Sequence, residues 1–258
     1  MIDLRLGDCL EVMKSIPDGS IDAIITDPPY GTTACKWDSV IDFELMWEQL
    51  NRIIKPNGAI VLFGSEPFSS ALRLSNIKNY KYDWVWEKDR GTNFLQAKYQ
   101  PLKLHENILV FNKGKTTYNP QKEIPKSANS IARMNRKLSN IKRLQGGQYV
   151  IEGKQKKDLH PFKYPESIIF FNRGTGNNQF SKSKTKHPTQ KPVALMEYLI
   201  KTYTNENESV LDFTMGSGST GVAAKNLNRN FIGIEQDENY FKIAEERINK
   251  QEKQLKIL

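Results

Sequence analysis

Apolar and polar positions alternate along this chain in a pattern that predicts strands followed by helices. Short apolar runs typical of strands occur over residues 2–8, 21–27, 59–65, 82–88, 105–114, 208–214 and 230–236. Segments with apolar residues three and four positions apart predict helices over residues 43–54, 66–76, 192–204 and 238–258. Residues 9–20 predict a helix that ends before a Pro-Asp-Gly turn, and residues 218–228 predict a loop followed by a helix. Turn residues separate neighbouring elements, as in Lys55-Pro56-Asn57-Gly58.

This alternation indicates the fold class. Strands joined by helices tend to lie parallel and to be covered on both faces, and such strands are apolar almost throughout, as residues 21–27 are. We therefore predict an α/β fold with a doubly wound, mostly parallel, seven-stranded sheet. Trp84 and Trp86 alternate on one predicted strand and are expected in the core. The length of 258 residues fits one large domain or a domain with an insertion.

One internal segment interrupts the pattern. Residues 115–186 hold 16 Lys and Arg side chains and four acidic ones, a net charge of +12, whereas the rest of the chain has a net charge of −3. The segment is also rich in Asn, Gln, Ser and Gly. We predict a catalytic domain formed by residues 1–114 and 187–258, with 115–186 as a basic insertion. The insertion is either a solvated surface or a binding surface for a polyanion such as nucleic acid.

Composition argues against several classes of protein. No run of 18 apolar residues predicts a membrane span, and the first residues show no secretory signal. Two cysteines, Cys9 and Cys35, cannot form a disulfide framework, and neither a CxxC pair nor a His cluster predicts a metal site. We expect a reduced, cytoplasmic protein without a metal.

A glycine-rich stretch between a predicted strand and helix indicates a nucleoside-type ligand. Gly216, Gly218 and Gly221 match GxGxxG, a pattern in which the backbone can approach a ligand closely. Glu235 ends the next strand, where a carboxylate can accept hydrogen bonds from ribose hydroxyls. Asp212 precedes the loop and would repel a pyrophosphate but attract an amino group. These features argue against NAD, although a nicotinamide-dependent oxidoreductase stays open.

The tetrapeptide Asp27-Pro28-Pro29-Tyr30 directly follows a buried strand, at the end where α/β sheets place their sites. The prolines stiffen the turn and leave the carbonyl oxygens of Asp27 and Pro28 free to accept hydrogen bonds. The Asp27 carboxylate is a further acceptor and Tyr30 offers a flat ring. The set suits a planar ligand bearing an NH₂ group, and an ordinary Pro-Pro turn capped by Asp is the alternative.

Six segments, in this order, resemble the β-class of amino-methylating DNA methyltransferases. They are residues 7–10, 27–30, 86–88, 105–111, 187–192 (His-Pro-Thr-Gln-Lys-Pro) and 212–218. The resemblance covers nearly everything outside 115–186. It implies a Rossmann-like methyltransferase fold with a circularly permuted motif order, because the catalytic motif precedes the cofactor loop. The family's usual loop, Asp-Pro-Phe-x-Gly-Ser-Gly, here reads Asp-Phe-Thr-Met-Gly-Ser-Gly, with the aromatic residue shifted by one position.

The resemblance implies methyl transfer from S-adenosylmethionine to an exocyclic amine of a flipped DNA base. Asp27, Pro28, Pro29 and Tyr30 would be catalytic: Asp27 and the Pro28 carbonyl would bind the amine, and Tyr30 would stack on the base. Asp rather than Ser before Pro-Pro-Tyr favours adenine N6. The resemblance also implies which residues bind the cofactor. Asp8 and Cys9 would contact the adenine, Glu235 the ribose, and Thr189 and Lys191 the methionine carboxylate. The loop residues implied in cofactor binding are Asp212, Phe213, Gly216, Ser217, Gly218, Ser219 and Thr220.

Double-stranded DNA is the expected partner, and the basic insertion is its expected recognition surface. Basic residues cluster in one short stretch of it, and the candidate DNA contacts there are Arg133, Arg136, Lys142 and Arg143. The resemblance leaves open a homodimer and a cognate restriction endonuclease as further partners. Methylation of cytosine N4 instead of adenine N6 also stays open. A further alternative is a DNA-binding protein without catalytic activity, but it would give residues 27–30 no role.

Overall fold

The computed structural model describes residues 1–32, 38–123, 141–143, 149–151, 163–172 and 190–250. The chain forms two compact units, Met1–Asn119 together with Ser167–Leu258, and Pro120–Glu166. The strands are β1 Ile2–Leu6, β2 Ile21–Thr26, β3 Ile54–Gly64, β4 Tyr80–Thr92, β5 Lys103–Phe111, β6 Ile141–Arg143, β7 Tyr149–Ile151, β8 Ile168–Phe170, β9 Ser209–Asp212 and β10 Asn230–Glu235. The helices are α1 Cys9–Met13, α2 Phe43–Ile53, α3 Phe68–Ser75, α4 Val193–Tyr203, α5 Ser219–Asn226 and α6 Glu238–Lys250.

The first unit is built on one sheet with the strand order β1-β10-β9-β2-β3-β5-β4-β8. Strand β5 runs antiparallel to β3 and β4, and the other paired strands of this sheet are parallel. The second unit contains the antiparallel pair β6–β7 and a bridge between Glu123 and Lys163. The prediction of a mostly parallel α/β sheet is confirmed for the first unit.

Helices cover both faces of the sheet. Ile25 of β2 and Phe63 of β3 belong to a core cluster with residues of α4, α5 and α6. Their neighbours Ile24 and Leu62 belong to a second cluster with residues of α1, α2 and α3. Because successive side chains of a strand point to opposite faces, the two clusters lie on opposite sides of the sheet. The sheet is therefore doubly wound, as predicted.

The described part of this sheet has eight strands, not the seven predicted. The added strand, β8, comes from inside the predicted insertion and pairs in parallel with β4, Ile169 opposite Trp86. Within β8 only Ile169 is buried. A strand of three residues shows no period that a pattern search could detect, so residues 167–172 were assigned to the insertion by their surroundings alone.

The predicted turn at Lys55-Pro56-Asn57-Gly58 lies inside β3 instead of before it. Ile54 pairs with Ile21 and Ala59 with Ala23, so the four residues form a bulge between two paired stretches. Strand β3 therefore starts immediately after α2. Proline, asparagine and glycine interrupt the backbone pairing between neighbouring strands, but the strand can continue beyond the interruption as a bulge.

The tryptophans of β4 are core residues, as predicted. Trp84 and Trp86 are buried, and their indole N–H groups donate to the hydroxyl of Tyr203 (2.7 Å) and the carbonyl of Phe171 (2.9 Å). Among the described residues, no helix has the length and apolar character needed to cross a membrane. In the same part of the chain, no group of three or more His, Cys, Asp or Glu side chains is placed to hold a metal ion.

Candidate active site

A cavity of about 1140 Å³ lies at the carboxyl ends of the parallel strands. Its walls include residues 7–10 after β1, 27–30 after β2, 212–217 after β9 and Glu235 at the end of β10. Parallel strands of a doubly wound sheet end at one edge, which is where such sheets bind ligands. Pockets for one small molecule measure roughly 300–1,000 Å³, so this cavity has room for a second group.

The catalytic motif and the glycine loop meet because β2 and β9 are neighbours in the sheet. Thr26 donates from its hydroxyl to the Asp212 carboxylate at 3.0 Å, and Thr214 donates to the backbone carbonyl of Asp27 at 3.0 Å. The sequence indicated that the Asp27 carbonyl is free to accept a hydrogen bond. The carbonyl accepts one hydrogen bond from within the protein, and this bond ties the motif to the loop.

Both carboxylate oxygens of Asp27 have partners. The Tyr30 hydroxyl donates to Oδ1 at 2.6 Å, and the Lys191 ammonium contacts Oδ2. Burial raises the pKa of Asp27, and the ammonium of Lys191 opposes that rise. Burial also raises the pKa of Tyr30 well above its usual value, so its hydroxyl stays protonated and remains a donor.

Lys191 is part of a buried row of alternating charges that continues to Glu106 and Lys88. The Lys191 Nζ lies 3.4 Å from Glu106 Oε2, while Glu106 Oε1 accepts a hydrogen bond from Lys88. Burial acts to raise the pKa of Glu106, but Lys191 and Lys88 lower it overall. Burial acts to lower the pKa of Lys191, but Asp27 and Glu106 raise it. The neighbouring opposite charges thus favour the ionised forms of Glu106 and Lys191.

This placement of Lys191 differs from the role that the resemblance implies. Lys191 lines the cavity, but its ammonium contacts Asp27 and Glu106, the carboxylates of the protein itself. Lys88 and Glu106 lie in two of the segments that carry the resemblance, yet nothing in their local sequence indicated that they meet. They face each other because β4 and β5 pair in this register.

Asp38 is a site residue that the sequence did not reveal. Its carboxylate accepts hydrogen bonds from the backbone N–H groups of Tyr30 (2.8 Å), Gly31 (2.9 Å) and Thr32 (2.9 Å). These contacts hold the chain after the two prolines in one conformation. A single aspartate in a loop carries no signal of such a role, so only the tertiary structure identifies it.

The Tyr30 ring is held against the protein on one side. Phe68 of α3 stacks on it with ring centroids 5.0 Å apart and an angle of 26° between the planes. Tyr30 also lines the cavity. The motif therefore offers an aromatic ring, supported on one face by Phe68, next to a carboxylate. This arrangement suits a planar ligand that carries an amine.

Two carboxylates line the cavity beside the glycine loop, Asp212 at the end of β9 and Glu235 at the end of β10. Burial raises the pKa of Asp212 to about 7, even though Thr220, Thr214 and Thr26 donate hydrogen bonds to it. Glu235 accepts backbone hydrogen bonds from Gly216 at 2.9 Å and from Asp237 at 2.8 Å. Phe213 belongs to the core cluster with α1, α2 and α3 and also lines the cavity.

The glycines of this loop have different functions from one another. Gly218 has a φ of +78°, and a Cβ atom on it would lie 2.9 Å from the Cβ of Ala244 in α6. It is not among the residues that line the cavity, whereas Gly216, Ser217, Ser219 and Thr220 are. Backbone conformation and the packing of α5 against α6 thus require glycine at position 218.

Asp8 and Cys9 follow β1, the neighbour of β10 in the sheet. Asp8 caps α1, accepting backbone hydrogen bonds from Leu10 at 2.8 Å and Glu11 at 3.3 Å. Burial, followed by the charge of Asp8, raises the pKa of Cys9 to about 12, so its thiol stays neutral. Both residues line the cavity. Thr189, Arg133, Arg136 and Cys35 lie outside the described residues, and Lys142 and Arg143 are described only as backbone in β6.

Comparisons with known proteins bear on this site. A family model for N6/N4 methyltransferases, described as DNA methylase, matches residues 21–246. The type II methyltransferase M2.LlaDCHI of Lactococcus lactis subsp. cremoris is 30% identical, with 95% of this chain and 88% of that protein covered. The type II methyltransferase M.HinfI of Haemophilus influenzae is 28% identical, with 94% and 67% covered. The crystal structure of the M1.HpyAVI–SAM complex is 30% identical with a TM-score of 0.63, covering 96% of this chain and 100% of that one.

Proposed function

This chain belongs to the N6/N4 DNA methylase family, and from that premise we propose that it methylates the exocyclic N6 amine of an adenine flipped out of double-stranded DNA. It is a DNA amino-methyltransferase, and S-adenosylmethionine is its methyl donor. One observation carries the proposal: the Asp27 carboxylate, the backed ring of Tyr30 and the glycine loop open into the same cavity. A nicotinamide-dependent reaction has no comparable support.

The cavity has polar groups that fit S-adenosylmethionine. Ser219 begins α5, lines the cavity, and has a buried hydroxyl without a hydrogen-bond partner in the described structure. Asp212 offers a carboxylate to the methionine ammonium, and Glu235 has lone pairs left for ribose hydroxyls. Asp8 and Cys9, which also line the cavity, are assigned to the adenine ring, as the family resemblance implies. When bound, S-adenosylmethionine supplies a methyl group on a positively charged sulfur, which departs as a neutral thioether.

Asp27 prepares the target amine. The lone pair of an exocyclic adenine nitrogen is delocalised into the ring, which makes the nitrogen a poor nucleophile. A carboxylate offers about four lone-pair positions, so Asp27 can accept an N–H of the amine while it keeps Tyr30 and Lys191 as partners. If the Pro28 carbonyl accepts the other N–H of the amine, the nitrogen becomes more tetrahedral and its lone pair is exposed for attack. Its positive charge develops beside the Asp27 carboxylate, and one proton leaves to water after transfer.

The base and the modified atom are tested directly. DNA from cells that express the protein is digested to nucleosides and analysed by mass spectrometry, and the same DNA is sequenced for modified positions. We expect N6-methyladenine at one recognition sequence, and none in cells that express Asp27→Ala. N4-methylcytosine would support the cytosine alternative, and unmodified DNA in cells that contain the folded, S-adenosylhomocysteine-binding protein would contradict the proposal.

The pKa of Asp212 leads to a prediction about cofactor binding. An ionised Asp212 attracts the methionine ammonium, and a protonated one does not. Because the pKa is about 7, affinity for S-adenosylhomocysteine should rise by about tenfold from pH 6 to pH 8. Isothermal titration calorimetry measures this, with Asp212→Asn as the matched control, which should bind weakly and without pH dependence. An equal pH dependence in both proteins would contradict the role of Asp212.

DNA recognition by the insertion remains a proposal, and its support is the net charge of +12 over residues 115–186. Changing Arg133, Arg136, Lys142 and Arg143 together to Glu should weaken DNA binding and flatten the log–log salt dependence by roughly 0.9 per lost phosphate contact. Affinity for S-adenosylhomocysteine should stay unchanged.

The control for this variant carries the same charge change outside the insertion. It replaces four exposed lysines that do not line the cavity, Lys14, Lys78, Lys201 and Lys242, by Glu. An equal loss of DNA affinity in both variants would attribute the effect to overall charge. A homodimer and a cognate restriction endonuclease also remain proposals.

A further inference from the structure

The connection between β4 and β5, residues 93–102, presents large apolar side chains to solvent. Phe94 is 75% exposed, Leu95 80% and Tyr99 85%. Single exposed apolar residues are ordinary on protein surfaces, but several in one short loop indicate an interaction site.

The loop is held in a defined conformation by its own contacts. Asn93, at a φ of +69°, precedes a 3₁₀-helix over Phe94–Gln96. The Asn93 carbonyl accepts a hydrogen bond from the Gln96 N–H at 3.0 Å, and the Gln96 carbonyl accepts one from the Tyr99 N–H at 2.8 Å. At the base of the loop, Thr92 pairs with Lys103. The apolar side chains are therefore presented on a structured turn.

The position of this loop points to its partner. Asn93 and Phe94 line the same cavity as Asp27 and Tyr30, so Phe94, largely exposed, lies where the cavity meets solvent. Basic residues flank the apolar ones, namely Arg90, Lys98 and Lys103. Apolar tips between basic side chains suit duplex DNA, whose phosphates attract the charges and whose base pairs form an apolar stack.

We propose that Phe94 and Leu95 form a wedge that enters the DNA base stack where the target base leaves it. This inference rests on the proposed function. Extruding a base unpairs its partner and leaves a gap in the stack, at a cost that is smallest when the base is already mismatched. An apolar side chain placed in the gap offsets that cost, as wedge residues do in other DNA-distorting proteins. The wedge should therefore matter most on fully paired DNA.

The test compares two double variants on two DNA substrates. Phe94→Ala with Leu95→Ala removes the wedge. Leu74→Ala with Ile77→Ala is the control, because those residues are also exposed (72% and 60%) but do not line the cavity. The substrates are a matched duplex that carries the recognition sequence found by sequencing, and the same duplex with a mismatch opposite the target base. Initial rates of methyl transfer give kcat/KM for each combination.

We expect the wedge variant to lose about ten- to a hundredfold in kcat/KM on the matched duplex and no more than a few-fold on the mismatched one. The control should match the wild type on both, and all proteins should bind S-adenosylhomocysteine equally. Equal losses on both duplexes, or no loss on either, would overturn the wedge and indicate another partner for the loop. Failure of the wild type to methylate either duplex would instead contradict the proposed function.

Discussion

Asp27→Ala should lower the single-turnover rate of methyl transfer by about a thousandfold or more, and should change the affinity for S-adenosylhomocysteine by no more than a few-fold. Asp27 is the carboxylate assigned to the target amine, and it acts where positive charge develops. Its loss therefore affects the chemical step much more than cofactor binding. Rapid-quench measurements with saturating cofactor and DNA give the rate.

Asp27→Asn is the conservative control for this experiment. It keeps an oxygen that can accept an N–H, but it has no negative charge and cannot pair with Lys191 as an ion. We expect a rate between those of the wild type and Asp27→Ala. A wild-type single-turnover rate in folded Asp27→Ala protein would contradict the assignment of this residue. A rate loss that follows a large loss of cofactor affinity would place Asp27 in cofactor binding instead.

Lys191→Met should lower activity by roughly a hundredfold at pH 7 and should restore part of it at higher pH. Without the ammonium, Asp27 and Glu106 are buried carboxylates near each other, and burial and mutual repulsion then raise their pKa values. A protonated Asp27 has no negative charge to stabilise the positive charge that develops on the amine. Because the raised pKa belongs to a carboxylic acid, activity should increase as the pH rises through it, by about one log unit per pH unit.

The pH profile separates this role of Lys191 from the one that the resemblance implies. If Lys191 instead held the methionine carboxylate, Lys191→Met would weaken S-adenosylhomocysteine binding and leave the pH profile of kcat in place. Lys55→Met is the matched control, since Lys55 also pairs with an aspartate, Asp22 at 2.7 Å, but lies outside the cavity. An unshifted pH profile in Lys191→Met would contradict the proposed charge arrangement.

The fold could be predicted to a large extent because its signals are local. A completely buried strand such as β2 has no polar alternation, and helices such as α2 show apolar residues at helical spacing. Where the signal was short or ambiguous, prediction failed. Strand β8 is too short to show a period, and the turn residues 55–58 form a bulge within β3.

The sequence by itself determined the α/β class, the order of the motifs and the candidate residues Asp27 to Tyr30, Asp212 and Glu235, because these depend on residue type at the end of a strand. Only the tertiary structure decided what surrounds them. Asp38 binds the backbone after Tyr30 across a short loop, and the row from Asp27 through Lys191 and Glu106 to Lys88 joins residues distant in the chain. Their contacts depend on strand order and register, and on the direction of each side chain, which local sequence does not specify. Burial and the neighbouring charges then shift the pKa values of Asp27, Glu106 and Lys191, and both exist only in the folded protein.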